Sequence, residues 1–301
     1  MARDVAIAAY DLSKKYPGTE TFAVRGLDFD IKKGEVYGFL GPNGAGKTTT
    51  IRMLMNFIQP TKGEAKILEL DSVNDSVEIK SKIGYLSGEI ALYPKMTGRQ
   101  FLEYMSELQP PRRKDYQRQL VRLFDFTSSQ KIGNLSKGNR QKLGLIQAFM
   151  HQPDILILDE PTSGLDPLMQ EAFYELVRQT RDRGATIFIS SHNLTEVQKM
   201  CDRIAFIREG KLIAEQTIGD FAKRSTQVYD ISFAHDAPLA ELRRLPKVKV
   251  NVHTKRYVSV KLQGDLTPLF TILAKHKVNS LDRQESSLEE EFLSFYKRGK
   301  R

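Results

Sequence analysis

One octapeptide constrains this chain more than any other feature. Gly41-Pro42-Asn43-Gly44-Ala45-Gly46-Lys47-Thr48 satisfies the pattern G-x-x-x-x-G-K-[ST]. It follows an apolar run, Glu35 to Leu40, and precedes a segment, Thr49 to Phe57, with helical periodicity. Glycines at these places let successive backbone N–H groups curl around phosphate oxygens without side-chain obstruction. A helix that starts there points its positive end at the same anion. Lys47 is placed to neutralise the outer phosphates and Thr48 to offer its hydroxyl to Mg²⁺. The expectation is a strand, glycine loop and helix that hold a nucleotide phosphate, a property that kinases, GTPases and many ATPases share.

A second element narrows the use of that phosphate site. Ile155-Leu156-Ile157-Leu158-Asp159-Glu160 is an apolar strand that delivers two carboxylates at its carboxyl end, where ligands bind in open α/β sheets. Asp159 is placed to hold the Mg²⁺ shell. Glu160, on the other face of the strand, is placed to orient or deprotonate a water that attacks the γ-phosphate.

The remainder of the chain reads as two domains, 1–222 and 223–301. Val5 to Asp30 alternates as two strands around a turn at Tyr16-Pro17-Gly18, an antiparallel start. Ile83 to Leu86 is a strand, and the polar, helix-rich stretch from Gly98 to Gln130 reads as an insertion, part of a helical subdomain at about 90–150. A helix through Met150, the strand Ile155 to Leu158, a helix from Pro167 to Arg183 and the strand Thr186 to Ser190 complete an alternation typical of a parallel sheet covered on both faces. Beyond residue 222 the pattern changes to strands at Val228 to Phe233, Val248 to Val252 and Tyr257 to Leu262. Helices at Leu239 to Leu245 and Leu266 to Lys275 accompany them, and a last helix opens on a capping box at Ser287 and Glu290. This predicts a small α+β domain.

Composition excludes several classes. Of 301 residues, 46 are Lys or Arg and 37 Asp or Glu, a net charge of +9 that falls in short clusters rather than a basic arm, so nucleic acid is not an expected partner. No apolar stretch approaches a membrane span, and no secretory pattern opens the chain. A single cysteine, Cys201, rules out an internal disulfide.

Taken together, the motifs resemble the ATP-binding subunits of ABC transporters over roughly residues 5–221. Leu135-Ser136-Lys137-Gly138-Asn139 resembles that family's signature, Ser163-Gly164-Leu165-Asp166 its D-loop, and His192, after Ser190-Ser191, its switch histidine. The resemblance implies a P-loop NTPase of ABC type, an α/β fold with a mixed sheet, antiparallel β start and helical insertion. It implies ATP and Mg²⁺ as ligands and Tyr16 stacking on adenine. Gly41, Pro42, Asn43, Gly44, Ala45, Gly46, Lys47, Thr48 and Thr49 would then cradle phosphate, Thr48 and Asp159 hold the metal, and Glu160 and His192 act on the γ-phosphate. Ser136, Gly138 and Asp166 would complete the site of a second subunit, most simply in a homodimer.

Two segments depart from the family pattern. Gly88 stands where a glutamine usually follows the Ile83 strand, with Glu89 a substitute by a shift in register, and Lys137 and Asn139 stand where glycine and glutamine are common. The wider pattern, with Leu92-Tyr93-Pro94 ahead of the insertion, is similar to the ABC-2 branch of multidrug, antibiotic and ion exporters. That implies a peripheral subunit on the cytoplasmic face of the cell membrane, coupled to an integral membrane permease that docks on 89–99 and the insertion. An importer subunit and a soluble ABC ATPase of translation or DNA maintenance are the alternatives.

Overall fold

The computed structural model describes residues 4–90, 92–108, 113–224 and 226–284. Two compact units divide the chain, Met1–Glu215 and Gln216–Arg301, a division that falls earlier than residue 222 because the helix 218–224 belongs with the second unit.

In the first unit β1 (Val5–Lys15) and β2 (Phe22–Lys32) pair antiparallel, and β3 (Val36–Leu40) follows as a fully buried strand. α1 (Lys47–Leu54) leads to β4 (Lys62–Ile67) and β5 (Leu70–Asp71). Sequence reading does not find this hairpin, because its turn residues Leu68 and Glu69 adopt positive φ without the Gly or Asn that usually marks such a turn. After α2 (Ser76–Lys82) and β6 (Ile83–Leu86), the insertion folds as two separate helices, α3 (Gly98–Leu108) and α4 (Lys114–Leu123). α5 (Lys137–Phe149) then returns the chain to the sheet. The sequence β7 (Ile155–Asp159), α6 (Pro167–Asp182), β8 (Thr186–Ser191), α7 (Leu194–Met200) alternates as expected, and a hairpin of β9 (Arg203–Arg208) and β10 (Lys211–Thr217) closes the unit.

These strands make a four-stranded sheet in the order β2-β1-β4-β5 and a six-stranded one in the order β10-β9-β3-β8-β7-β6. β9, β3, β8, β7 and β6 run parallel, so their carboxyl ends share one edge. α1 lies in the core with both sheets: Ile51, Met53 and Leu54 join Ile7, Leu27 and Ile31 of one and Tyr37, Phe39, Ile157 and Phe188 of the other. Removal of these apolar surfaces from water is the main stabilising term. Cys201 is buried in this unit, and burial pushes its thiol far up, so it packs as a small apolar residue.

The second unit contains α8 (Ile218–Arg224), β11 (Thr226–Phe233), α9 (Leu239–Leu242), β12 (Val248–Thr254), β13 (Tyr257–Gln263), α10 (Thr267–Leu273) and β14 (Val278–Gln284). The order β12-β13-β11-β14, antiparallel throughout, with a β-α-β-β-α-β succession, is the ferredoxin-like arrangement. Alternate residues Tyr229, Ile231 and Phe233 of β11 and Val258, Val260 and Leu262 of β13 bury against Leu242, Leu269 and Leu273 of the helices. α9 is shorter than the expected Leu239 to Leu245, since Pro246 disfavours the helical conformation just before it. β14 escapes sequence reading because it is an almost wholly exposed strand with no alternation of burial. The expected helix from Ser287 lies outside the described residues.

Candidate active site

Strand register assembles the site. Leu40 of β3 stands opposite Ser191 of β8, and Ser190 stands opposite Asp159 of β7. The loops that follow these three strands therefore leave the sheet at one level. They carry residues 41–48, Glu160 and His192.

The glycine loop closes tightly. Gly46 caps α1 at φ 109, and a Cβ there would lie 2.7 Å from the carbonyl oxygen of Ala23, so both conformation and space require glycine. Lys47, buried, donates from Nζ to the carbonyls of Gly41 at 2.6 Å and Pro42 at 3.3 Å, which folds the ammonium back over the loop. A cavity of about 190 Å³ opens over Asn43, Gly44, Ala45, Gly46, Thr48 and Thr49, with Lys47, Glu160 and Ala23 also on its walls. Tyr16 reaches this neighbourhood, its Oη 3.4 Å from Thr49 Oγ1, and the Lys14 ammonium stands 5.6 Å from its ring centre.

The acids are held from several sides. Thr48 Oγ1 donates to Asp159 Oδ2 at 2.8 Å, and Ser190 Oγ donates a short hydrogen bond to Asp159 Oδ1. The same Ser190 hydroxyl accepts from the Glu160 amide at 3.2 Å. Glu160 has φ 50, a conformation uncommon for a non-glycine residue and one that turns its side chain off the strand. Its Oε2 lies 2.7 Å from Nδ1 of His192, and its Oε1 lies 3.1 Å from Lys47 Nζ. Oε1 is buried and makes no hydrogen bond of good geometry, so charge alone ties it to Lys47. Gln141 of α5 supports the turn from below, donating from Nε2 to the carbonyls of Glu160 at 3.2 Å and Pro161 at 2.8 Å.

A second group lies apart from the cavity lining. Ser136 caps α5, its Oγ accepting from the Asn139 amide at 3.3 Å, and Asp166 caps α6, accepting from the Met169 amide at 3.0 Å. Gly138 packs on the turn that holds Asp166: a Cβ there would sit 2.6 Å from the Gly164 carbonyl oxygen. Neither Ser136, Gly138 nor Asp166 lines the cavity.

Gly88 and Glu89 behave differently from the register-shift expectation. A Cβ at Gly88 would lie 3.0 Å from Asp159 Oδ2, so it is position 88 that faces this acid. Glu89 is exposed, its amide donates to Ser87 Oγ at 3.4 Å, and no hydrogen bond or ion pair joins its carboxylate to Thr48 or Asp159. Nearby, burial first and then the charge of Asp159 push the Tyr85 phenol up from its ordinary value, against the opposing hydrogen bond to Ser87.

Ser190, Gln141, Thr162 and Glu196 are the residues that sequence reasoning did not single out. Only Ser190 left a signal, its place two residues before His192. Gln141 is a buried polar residue on the face of α5 that also carries Gly144, Leu145 and Ala148.

A family model described as ABC transporter matches residues 24–163. The chain is 33% identical to the bacitracin transport ATP-binding protein BcrA of Bacillus licheniformis, across 95% of this chain and 96% of that protein. It is 32% identical to the linearmycin resistance ATP-binding protein LnrL of Bacillus subtilis, across 96% and 97%. Among solved structures, an ATP-binding subunit of an ABC transporter superposes with a TM-score of 0.66 at 27% identity, over 71% of this chain and 91% of that one. A dimeric ATP-binding cassette in a post-hydrolysis state with ADP and Pi shares the fold, with a TM-score of 0.65 at 22% identity over 70% and 98%. Near full-length similarity to two such proteins accords with a glycine loop, paired acids and a histidine at one sheet edge, and the chain belongs to the ATP-binding subunits of ABC transporters, an ATPase of that class.

Proposed function

We propose that this ATPase clamps two ATP molecules between two copies of itself and powers export through a separate membrane permease. The carrying observation is the division of its site: the cradle and Glu160 line one cavity, whereas Ser136, Gly138 and Asp166 lie together elsewhere. One copy's signature group would complete the other's cradle, so hydrolysis would need association.

Within each half the roles follow from the contacts. Lys47 and the backbone amides of 43–48 bind the phosphates, and the His192–Glu160 bond orients the carboxylate. Glu160 takes the proton of the attacking water through its Oε1 edge, which has no hydrogen bond of its own. Thr48 and Asp159 present a hydroxyl and a carboxylate 2.8 Å apart, the oxygen donors that suit Mg²⁺, which when bound would neutralise phosphate charge. Tyr16 offers a face to the adenine.

An apolar groove of about 340 Å³ lined by Phe57, Tyr85, Ile90, Leu92, Tyr93 and Phe101 is the place for a short helix of the permease. Phe57 is 50% and Tyr93 54% exposed, more than rings of this size usually are without a partner. Among the described residues no helix is long and apolar enough to cross a membrane, and in this reading a partner supplies the passage. Relatives named for bacitracin transport and linearmycin resistance favour export of antibiotic-like molecules.

The test is affinity capture of the tagged chain from detergent-solubilised native membranes. A stoichiometric polytopic membrane protein is expected, and Tyr93→Arg is expected to lose it while the isolated chain still hydrolyses ATP. Recovery of ribosomal or DNA-associated proteins alone would refute the transport reading in favour of a soluble ABC ATPase.

A further inference from the structure

Glu196, on α7, is 9% exposed, and no cation pairs with it among the described residues. Its carboxylate is satisfied by two neutral hydroxyls that meet on one oxygen. Thr162 Oγ1 donates to Oε2 at 2.7 Å, and Ser191 Oγ donates to the same Oε2 at 3.2 Å. Thr162 is 5% and Ser191 1% exposed, so water competes for neither bond.

A buried carboxylate without a cation is costly, and an apolar or amide side chain would fill the space without that cost. What the charge adds is direction. An ionised carboxylate only accepts, so it compels both hydroxyls to point their protons at it. The Ser191 oxygen is thereby left free to accept from the Asn193 amide, at 2.9 Å. Asn193 in turn caps α7, with Oδ1 accepting from the amides of Thr195 at 2.9 Å and Glu196 at 3.4 Å, which holds Glu196 in place.

The connection closes a ring. Thr162 is two residues past Glu160, and Ser191 immediately precedes His192. Across the open side, Glu160 and His192 meet at 2.7 Å. Two loops from different strands are thus joined twice, at their tips by the pair that acts on ATP and at their bases by one oxygen of Glu196. The first loop continues directly into 163–166, where Asp166 caps α6.

We propose that Glu196 is a positioning residue, a base staple through which the setting of loop 160–166 fixes the His192–Glu160 pair. This rests on the reading of 163–166 as the segment that a second copy meets: its arrival would be felt at His192 through Thr162, Glu196 and Ser191. Glu196 touches neither nucleotide nor reacting atoms and acts only through its two hydroxyl partners.

The test is steady-state ATP hydrolysis by the full chain for Glu196→Ala, Glu196→Gln, Thr162→Val and the pair Thr162→Val with Glu196→Ala. Loss of a charge-assisted tie predicts about a tenfold or greater fall in kcat for Glu196→Ala, with KM for ATP within about twofold. Thr162→Val is expected to show part of that fall, the double variant no more than Glu196→Ala alone, and Glu196→Gln, which keeps an acceptor but loses the charge that directs both hydroxyls, to recover only part of it. A kcat unchanged in Glu196→Ala, or multiplicative losses in the double variant, would overturn the staple. Should Glu196→Ala fail to fold, the near-isosteric Thr162→Val and Glu196→Gln carry the same comparison, and an unchanged kcat in both refutes it. Failure of the two-copy reading is seen separately, as absence of an Mg-ATP-dependent dimer of Glu160→Gln in gel filtration, and leaves the kcat pattern as an independent result.

Discussion

Each unit contains a carboxylate, a serine and a histidine in hydrogen-bonded contact, and the two clusters differ in what they leave over. In the second unit Ser259 Oγ donates to Asp230 Oδ1 at 2.5 Å, Gln284 Nε2 donates to Oδ2 at 2.6 Å, and His253 Nε2 lies 2.6 Å from Ser259 Oγ. Asp230 and Ser259 face each other as a pair of antiparallel strands, so ordinary strand geometry brings them together. Both carboxylate oxygens are used, and the Ser259 bond first, with Gln284 assisting, holds the acid below its ordinary range. In the first unit the acids stand where strands end, Glu160 is at φ 50 on the wall of a cavity, and its buried Oε1 has the Lys47 charge beside it but no hydrogen bond of good geometry. Residue types alone do not make a site. A reactive cluster keeps one directed group unspent beside a space, and the cost is borne by strained backbone and by surrounding hydrogen bonds.

The largest way to break this contrast is Glu160→Gln. Removing a general base predicts a fall in ATP hydrolysis of about 10² to 10⁴-fold, with ATP binding retained and a dimer eluting early with Mg-ATP. Hydrolysis at the parental rate would place the base elsewhere and erase the difference between the clusters. A moderate effect is expected from Asp230→Ala, which removes the acceptor of the half-buried Ser259 hydroxyl and of the exposed Gln284 amide and lowers the stability of the second unit by about 0.5–1.5 kcal/mol in a denaturant titration. ATP hydrolysis by the same variant is expected to be unchanged at temperatures where the unit is folded, and a lower kcat there would give that cluster a functional role.

The smallest effect concerns a polar group that belongs to neither cluster. His151, beyond the end of α5, has both ring nitrogens buried without a hydrogen bond of good geometry, and burial is the leading cause that lowers its pKa from 6.5. A histidine depressed in the folded state contributes stability that is complete above the unfolded value and declines as pH falls below 6.5 towards the folded one. The thermal midpoint is therefore expected to drop between pH 7.5 and 5.5 by more in the parent than in His151→Leu. Equal drops would show that the imidazole is not buried in its neutral form.

How much of this was legible without coordinates varied with the span of the interaction. The phosphate loop, the acids at the end of an apolar strand and the histidine after the next were readable because each is a local pattern with a local physical reason. Ser190 and Glu196 were not. Serine and glutamate are common residues, and what makes them notable is that β7 and β8 pair with Asp159 opposite Ser190 and that α7 aims Glu196 back beneath both loops. Sequence placed Gly88 where the usual glutamine stands, and the fold sets that position beside Asp159, whereas Glu89, the substitute it offered, is exposed.

Sequence by itself determined the elements whose conformation is decided within a few residues: the loop 41–48, where Gly46 at φ 109 admits no side chain, the caps Ser136 and Asp166, and the alternation that defines a buried parallel sheet. Tertiary structure alone decided the strand order, the hairpin of β4 and β5, the edge strand β14 and the carboxylate that joins two loops. The physical reason is the range of the forces involved. Backbone sterics and capping act between near neighbours in the chain, whereas register, burial and the partners of a buried charge depend on residues that only packing brings together.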